Sequence, residues 1–418
     1  MFRTQSAIIA PVEAVREQFT GAQHLLQNYN RAPVEIVRGE GCELIDADGN
    51  RYLDMVAGIA VCALGHAHPA ITEAIAKQAG TLVQASNLFH HEPAGTLANE
   101  LARLSGFERV FFCNSGTEAN EAAIKLARKR AFRKGEFERV KIVSCEGSFH
   151  GRTMGALAAT ANPHYKEGFE PLPAGFAYTP FNDIGALENA IDDTTAAFIV
   201  EPVQGESGVK PADLAFLEAA RRLCDEHGAL LIFDEIQCGM GRLGTLFAFQ
   251  TFGVRPEVIT LAKSLANGLP IGAVLIDAGA ASALQPGDHG TTFGGSPVPC
   301  AAALAHLKVR ASFNIDEHVK AVGATFFAGL RKLHEQHPEM FGEPRGTGLM
   351  LGLPVREPYE AKTIVDQART NEHVLFNAAG DNTLRFVPPL ILSQSQATTA
   401  LDALTRIVDS WRGSTPPA

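Results

Sequence analysis

Short apolar runs alternate with amphipathic segments through most of the chain. Between about residues 65 and 310 the continuous apolar runs are residues 110–113, 141–144, 197–200, 230–233 and 258–261. Because they lack apolar–polar alternation, they predict strands buried on both faces, as in a mainly parallel sheet covered by helices. The intervening segments predict helices, among them residues 118–130 and 214–227. The pattern indicates an α/β fold, in which functional side chains gather at the carboxyl ends of the strands.

The pattern differs on both sides of this region. Residues 37–54 predict short strands around a polar turn, and the first ~25 residues of the chain predict a mobile or helical arm. After about residue 310, an amphipathic helix at 315–337 precedes strand-like segments such as Leu384–Val387, which predicts a smaller α+β domain, and the Gly-, Ser- and Pro-rich tail is predicted to be disordered. With 418 residues, the chain exceeds the usual size of a single core. We expect an N-terminal arm with part of the small domain (1–60), a large seven-stranded domain (61–309) and a C-terminal small domain (310–418).

Composition narrows the function classes. The net charge of −10, with no Lys/Arg-rich stretch, argues against nucleic-acid binding. The seven cysteines are odd in number, scattered and without a C-x-x-C, which is typical of a reducing compartment. We expect no targeting segment, and no apolar run in the sequence is long enough to span a membrane. We therefore expect a cytoplasmic protein that binds neither nucleic acid nor membrane.

An acid and a lysine follow two successive predicted strands. Asp234 directly follows the run 230–233, and Lys263 follows the run 258–261 after one intervening residue, Ala262. Either residue alone is more often an ordinary loop residue. Together they match the needs of pyridoxal 5'-phosphate, which requires a lysine for its Schiff base and a carboxylate to keep its pyridine nitrogen protonated. Lys263 must also become a neutral amine during the reaction, which burial favours.

A third element is the polar turn Asn114–Glu118 after the run 110–113. Ser115-x-x-Glu118 has the form of a capping box, and a helix-forming stretch follows. A helix N-terminus after a strand offers free N–H groups to a phosphate. A plain helix cap is the alternative interpretation.

Two other patterns suggest different chemistry. Gly239-Met240-Gly241-Arg242-Leu243-Gly244 satisfies G-x-G-x-x-G, which would favour a NAD-dependent dehydrogenase. However, Asp234 and Glu235 intervene between strand and glycines, and no convincing helix follows, so we interpret the match as chance. The pairs His66/His68 and His90/His91 lack metal-ligand spacing, and we expect no metal site.

Ordered motifs resemble one family over nearly the whole chain. They are Gly58–Val61, Leu64–His66, Phe112–Glu121, Ser148–Thr153, Glu201–Glu206, Phe233–Gln237, Leu261–Lys263 and His289–Gly295. Together they resemble the class III aminotransferases of fold type I, and most closely the acetylornithine and succinylornithine aminotransferase group. The chain departs from the family's usual residues at Cys62, Ser207, 264–268 and Ser296. Several of these positions lie near where a substrate tail would bind, which leaves the donor open.

The resemblance implies roles for the matching residues. Lys263 would be the Schiff-base lysine and proton shuttle, and Asp234 the partner of the pyridinium nitrogen. Gln237 would hydrogen-bond the phenolic oxygen, and Phe149 would stack on the ring, although the bland alternative is a core aromatic. The remaining coenzyme contacts would come from Ser115, Gly116, Thr117, Glu235 and Ile236, and from Thr292, which in this family reaches the phosphate of the neighbouring subunit. The resemblance therefore implies a homodimer with shared active sites.

The family also implies how substrates are held. Arg152 would bind the substrate carboxylate through a bidentate fork, and Arg385 the second carboxylate of a 2-oxoglutarate-type partner. Glu206 would pair with Arg385 and swing away to switch substrates, and Thr291 would lie near the bound acyl-ornithine. The expected reaction transfers the δ-amino group of N2-acetylornithine to 2-oxoglutarate. Succinylornithine, ornithine, N-acetyl-lysine and 4-aminobutyrate remain alternative donors, and a catalytically inactive binding protein of this fold is a further alternative.

Overall fold

A computed structural model describes residues 22–411, so the predicted arm lies largely, and the predicted tail entirely, outside the described residues. The strands are β1 Ile36–Glu40, β2 Glu43–Asp46, β3 Arg51–Asp54, β4 Arg109–Cys113, β5 Lys141–Cys145, β6 Phe176–Thr179, β7 Thr195–Val200, β8 Val203–Gln204, β9 Lys210–Pro211, β10 Leu230–Asp234, β11 Val258–Leu261, β12 Gly272–Ile276, β13 Arg345–Thr347, β14 Met350–Pro354, β15 Val374–Leu375, β16 Asn377–Ala379 and β17 Thr383–Phe386. The longer helices are Pro69–Ala79, Glu92–Ser105, Gly116–Arg133, Leu214–His227, Pro297–Ser312, Ile315–Gln336, Ala361–Asn371 and Gln394–Ser410. Shorter helices are Ala57–Ala60, Met154–Ala159, Ile184–Ala190, Ala248–Phe252 and Ala278–Ala281, and the 3-10 helices are Ala22–His24, Pro163–Tyr165 and Lys263–Ala266.

The central sheet has seven strands in the order β4-β12-β11-β10-β7-β5-β6. Neighbouring strands from β11 to β6 run parallel, whereas β12 is antiparallel to both β11 and β4. Every residue of β7, β10, β11 and β12 is buried, because helices cover both faces of the sheet. The predicted mainly parallel sheet of seven strands is confirmed, and the five apolar runs are all strands of it.

Besides the two-stranded sheet β8-β9, two four-stranded sheets accompany the central one. One has the order β1-β2-β3-β15 and joins the N-terminal strands to β15, which pairs parallel to β3. The other, β13-β14-β17-β16, lies in the C-terminal region predicted to be α+β. Between β2 and β3, Asp46 Oδ1 accepts hydrogen bonds from the N–H groups of Asp48 (3.0 Å) and Asn50 (2.8 Å), which stabilises the predicted polar turn. The three-part domain division stays a prediction.

Helices form the layers around the sheet. Gly116–Arg133 packs across β7, β10, β11 and β12, and Pro297–Ser312 packs on Pro69–Ala79 and Glu92–Ser105. In the C-terminal region Ile315–Gln336 packs against Gln394–Ser410. No helix in residues 22–411 is long and apolar enough to cross a membrane.

Candidate active site

One cavity lies at the carboxyl ends of five strands of the central sheet. Its volume is about 370 Å³. The segments that line it follow β4, β5, β7, β10 and β11 directly in the chain, because parallel strands bring their carboxyl ends to the same edge of the sheet. Its lining includes Asn114–Thr117, Phe149–Arg152, Glu201, Asp234, Ile236, Gln237 and Lys263.

Lys263 faces this cavity from a strained piece of backbone. Its φ is 33°, in the left-handed region that residues other than glycine rarely adopt. Such backbone is costly, and it persists where the surrounding fold holds it at a functional position. The residue after Lys263 is held in place as well, because the Ser264 hydroxyl donates to the carbonyl of Ala60 (2.6 Å). Burial lowers the pKa of the Lys263 amine, so the neutral form that can act as a nucleophile or base is more accessible than in water.

Asp234 is buried at the bottom of the cavity and held by three donors. Oδ2 accepts from Asn120 Nδ2 (2.7 Å) and from the His150 ring Nδ1 (2.8 Å), and Oδ1 accepts from the N–H of Ile236 (3.1 Å). Thr260 in turn donates to Asn120 Oδ1 (2.8 Å), which orients that amide. The carboxylate is therefore fixed before any ligand binds.

Glu201 is a second buried carboxyl group close to Asp234. Its Oε1 accepts from the Phe149 N–H (3.3 Å), and its Oε2 is buried without a hydrogen-bond partner among the described residues. Burial, and then the charge of Asp234, raise the pKa of Glu201 well above its usual range. Ligand atoms of His150, Glu201 and Asp234 lie within 4.8 Å of one another, a spacing that also suits a metal ion. We retain the prediction of no metal, because Asp234 already holds His150 by a hydrogen bond.

The turn after β4 forms a cradle at the N-terminus of helix Gly116–Arg133. Ser115 Oγ accepts from the Glu118 N–H (3.3 Å), as the capping pattern predicts. The reciprocal half of the box differs, since Glu118 Oε2 accepts from the N–H of Asn114 (2.8 Å). A Cβ on Gly116 would lie 2.7 Å from Ile236 Cδ1, so only glycine leaves this part of the cavity open. The first N–H groups of the helix have no partners within it and can bind an anion.

Arg152 lies at the exposed side of the cavity. Its guanidinium carbon is 5.4 Å from the centre of the Phe149 ring and 3.9 Å from that of Tyr165. Among residues 22–411 it takes part in no salt bridge, so it is available to a ligand carboxylate.

Arg385 is buried beside the cavity and already paired. Its Nη1 donates to Glu206 Oε1 (2.6 Å) and to the carbonyl of Gly205 (3.1 Å), and its Nε donates to Asn377 (2.8 Å). Gln237 Nε2 also donates to Glu206 Oε1 (3.2 Å). Burial opposes ionisation of Glu206, but the charges of Arg385 and Lys263 outweigh it, and the pKa of Glu206 is lowered. Glu206 is therefore a carboxylate that neutralises Arg385.

Five predicted site residues do not line the cavity: Glu206 and Arg385, which pair beside it, and Glu235, Thr291 and Thr292. Glu235 points away from it and accepts from the N–H groups of Ala248 (2.6 Å) and Phe249 (2.8 Å), capping the helix Ala248–Phe252. Burial raises the pKa of Glu235 to about 8. Thr291 lies behind the cradle, where its Oγ1 accepts from Asn114 Nδ2 (3.0 Å), and the carbonyl of Thr292 accepts from Gln84 (2.9 Å).

Sequence reasoning assigned no role to several residues that build the site. They are Asn120, His150, Tyr165, Glu201 and Thr260. Glu201 directly follows the buried run that becomes β7, so the strand-end criterion that singled out Asp234 would have found it. Asn120 and His150 lie within the motifs Phe112–Glu121 and Ser148–Thr153, but nothing in those motifs assigns them to Asp234. Tyr165 and Thr260 are brought to the site by a loop and by the interior of β11, for which no local signal exists.

The comparisons with known proteins agree with this geometry. The model of the family "Aminotransferase class-III" matches residues 26–408. The chain belongs to the class III aminotransferases. It is therefore an aminotransferase that uses pyridoxal 5'-phosphate and passes an amino group from a donor to a keto acid. The hypotheses of a NAD-dependent dehydrogenase and of an inactive binding protein are wrong.

Relatives and structures within this family are similar over most of their length. The acetylornithine aminotransferase of Methanocaldococcus jannaschii is 48% identical over 382 residues, covering 91% of this chain and 95% of that protein. The N-acetylornithine aminotransferase structure from Stenotrophomonas maltophilia has a TM-score of 0.80 at 39% identity, covering 92% of this chain and 98% of that one. The ornithine aminotransferase structure from Toxoplasma gondii, with partial occupancy of pyridoxal phosphate at its active site, has a TM-score of 0.89 at 32% identity, covering 97% of this chain and 100% of that one.

Proposed function

We propose that this aminotransferase converts N2-acetylornithine and 2-oxoglutarate into N-acetylglutamate 5-semialdehyde and glutamate. The observation that carries the proposal is the unequal state of the two arginines. Arg152 has no acidic partner in residues 22–411, whereas Arg385 is neutralised by Glu206. While Arg385 is paired with Glu206, only Arg152 can bind a carboxylate, which suits a donor with one carboxylate. When Glu206 moves away from Arg385, both arginines can bind, which suits an acceptor with two carboxylates. The acetylornithine aminotransferases among the relatives support the choice of donor.

The residues of the cavity fit pyridoxal 5'-phosphate. When bound, this coenzyme supplies an electron sink that stabilises negative charge on the carbon next to the amino group. We assign the phosphate to Ser115, Gly116 and Thr117, where an absent side chain at Gly116 leaves room and helix N–H groups point outward. Phe149 would cover the ring face, beside Ile236, and Gln237 would donate to the phenolic oxygen.

Asp234 and Lys263 carry the chemistry that the protein itself contributes. Asp234, fixed by Asn120 and His150, would hold a proton on the ring nitrogen through its negative charge. Lys263 Nζ, with its pKa lowered by burial, would take the proton from the donor's Cδ and return it on the coenzyme side, as general base and then acid. Lys263→Ala is expected to abolish turnover and the visible absorbance of the bound coenzyme, and retention of both would contradict this assignment.

The two arginines would bind the substrates in sequence. In the first half-reaction Arg152 would bind the carboxylate of N2-acetylornithine while Glu206 keeps Arg385 closed. In the second half-reaction 2-oxoglutarate would place its distal carboxylate on Arg152 and its α-carboxylate on Arg385, which requires Glu206 to move away. Bidentate pairing makes arginine the suitable residue at both positions.

We also propose a cytoplasmic homodimer with shared active sites. Thr291 and Thr292 lie in a loop outside the cavity of their own chain. We assign Thr292 to the phosphate of the partner's coenzyme, and Thr291 to the neighbourhood of the bound acyl-ornithine.

The donor is tested by initial rates on five amines. N2-acetylornithine is expected to show the highest kcat/KM with 2-oxoglutarate as acceptor, ahead of succinylornithine, ornithine, N-acetyl-lysine and 4-aminobutyrate. A preference for free ornithine would overturn the assignment of the donor and leave the class of reaction intact.

A further inference from the structure

Tyr165 contacts both Phe149 and Arg152 at the mouth of the cavity. Its ring meets the Phe149 ring edge to face, with the centres 5.9 Å apart and the planes at 89°. The guanidinium carbon of Arg152 lies 3.9 Å from the centre of the Tyr165 ring, closer than its 5.4 Å to the centre of Phe149. Tyr165 therefore provides the nearer aromatic face for Arg152.

The position of Tyr165 is fixed by its own loop. It ends the 3-10 helix Pro163–Tyr165, whose N-terminus is capped by Asn162 Oδ1 accepting from the His164 N–H (3.0 Å). The next residue, Lys166, donates to the Tyr178 hydroxyl, which itself donates to the carbonyl of Ala158 (2.6 Å). The loop is thus attached both to β6 and to the helix that follows Arg152.

The backbone of Arg152 is fixed on the other side, at the proposed phosphate cradle. Its N–H donates to Thr117 Oγ1 (3.2 Å). Gly151 before it has φ 137°, and a Cβ there would lie 2.2 Å from Thr117 Oγ1, so the chain can approach the cradle only as glycine. The backbone is therefore held, whereas the long side chain depends on what its head contacts.

A guanidinium on an aromatic face keeps its charge and its edge available. The ring attracts the cation through its quadrupole, and contact through the flat face leaves N–H groups at the edge free for a carboxylate. No described acid competes for Arg152, since the salt bridges found in residues 22–411 do not include it. Tyr165 can thus restrict the side chain without neutralising it, which reduces the entropy lost when a carboxylate binds.

We propose that Tyr165 is a positioning residue that sets the preference for carboxylate-bearing substrates by holding Arg152 toward the cavity. This inference rests on the proposed role of Arg152 as the carboxylate-binding residue. It deepens that role by adding a second residue, which contacts the arginine and not the reacting atoms.

The test compares Tyr165→Leu with Tyr165→Phe in the holoenzyme. The donors are N2-acetylornithine and N-acetyl-1,4-diaminobutane, which is the same amine without its carboxylate. Tyr165→Leu is expected to raise KM for N2-acetylornithine and for 2-oxoglutarate twofold to fivefold, the factor that corresponds to about 0.5–1 kcal/mol of cation–π energy. In Tyr165→Leu, kcat with N2-acetylornithine is expected to stay within about twofold of the unmodified enzyme, and so is kcat/KM for the carboxylate-free amine. Tyr165→Phe, which keeps the ring face, is expected to behave as the unmodified enzyme.

Two results would overturn the inference. One is an unchanged KM for N2-acetylornithine in Tyr165→Leu, and the other is an equal loss on the carboxylate-free amine. The visible absorbance and coenzyme affinity of each variant confirm that the cavity is intact, so a folding defect is recognised separately. A variant with altered absorbance is replaced by Tyr165→Met, to which the same criteria apply.

Arg152→Ala separates this inference from the proposed function. If Arg152→Ala raises KM for N2-acetylornithine and Tyr165→Leu does not, the inference fails and the role of Arg152 stands. If Arg152→Ala leaves that KM unchanged, the carboxylate role fails, and the inference with it. Where both single changes raise KM, Tyr165→Leu is expected to have no further effect in the Arg152→Ala background, because its influence passes through the arginine.

Discussion

At the scale of single residues, the site depends on groups whose charge or size is set by their surroundings. Lys263 and Glu206 illustrate opposite outcomes of burial. Burial lowers the pKa of the Lys263 amine, which favours its neutral form. Burial alone would raise the pKa of Glu206, but the charges of Arg385 and Lys263 outweigh this effect and keep Glu206 ionised. The site therefore combines a base in the cavity with a carboxylate beside it that neutralises Arg385.

The space at Gly116 leads to a prediction about coenzyme affinity. Gly116→Ala would place a Cβ 2.7 Å from Ile236 Cδ1, so the Ile236 side chain must move into the cavity. We expect a loss of affinity for pyridoxal phosphate of about tenfold, or 1.4 kcal/mol, in equilibrium titration of the apoenzyme. Gly116→Ala combined with Ile236→Val should recover part of it. An unchanged dissociation constant in Gly116→Ala would show that the cradle tolerates a side chain.

The Glu206–Arg385 pair predicts a change of substrate preference. Glu206→Gln removes the charge that neutralises Arg385, whose side chain is only 1% exposed. Substrates with a second carboxylate, which can pair with Arg385 instead, are therefore expected to bind more tightly. The ratio of kcat/KM for glutamate to that for N2-acetylornithine is expected to rise at least about tenfold. Glu206→Asp, which keeps the charge, is the control. An unchanged ratio in Glu206→Gln would remove Glu206 from the substrate switch.

At the scale of elements, a histidine–carboxylate pair connects β3 to the loop beside the cavity. His66 Nε2 is 2.7 Å from Asp54 Oδ2, and the backbone of His66 pairs with that of Gly41. Asp54 also accepts from the N–H groups of Val56 and Ala57, both at 2.8 Å. The pair therefore stabilises the turn that leads from β3 into the cavity wall at Val61.

This pair predicts a pH-dependent stability. The hydrogen bond to Asp54, assisted by Cys62, raises the pKa of His66 to about 9. Because the folded-state pKa lies above the unfolded value of about 6.5, its stabilisation is complete below pH 6.5 and is lost as pH rises toward 9. The difference in free energy of unfolding between the unmodified protein and His66→Gln should shrink by up to about 3 kcal/mol over this range. A pH-independent effect of His66→Gln would contradict the ion pair.

At the scale of the whole molecule, the question is whether two chains share their active sites. The loop with Thr291 and Thr292 does not reach the cavity of its own chain. If Thr292 serves the partner's phosphate, a mixed dimer of one Lys263→Ala chain and one Thr292→Glu chain carries both changes in the same active site. One site then keeps both Lys263 and Thr292.

Mixing the two inactive variants should therefore restore activity. Random exchange of subunits gives half mixed dimers with one intact site each, so about a quarter of the full activity is expected. Sedimentation of the separate variants checks that both remain dimers. No recovery, with exchange verified by differently tagged subunits, would place Thr292 outside the partner's active site.

The sequence was sufficient for the features that depend on local pattern. The buried runs predicted the strands of the central sheet, and the helix at 214–227 begins and ends where predicted, because apolar periodicity records burial directly. The edge strand β6 and the antiparallel strand β12 received no prediction. The direction of β12 depends on how the chain returns across the sheet, and no residue within the strand encodes it.

The sequence by itself determined the fold class, the family, and Asp234 and Lys263 as the residues that follow two buried strands. Each of these depends on short stretches of residues that are adjacent along the chain. Only the tertiary structure decided which side chains serve those two. Asn120, His150 and Thr260 surround Asp234, Tyr165 covers Arg152, and Glu235 turns away from the cavity although it follows Asp234 directly. The physical reason is that hydrogen bonds and ring contacts depend on distances in space. Residues far apart in sequence meet only when the sheet and its helices pack.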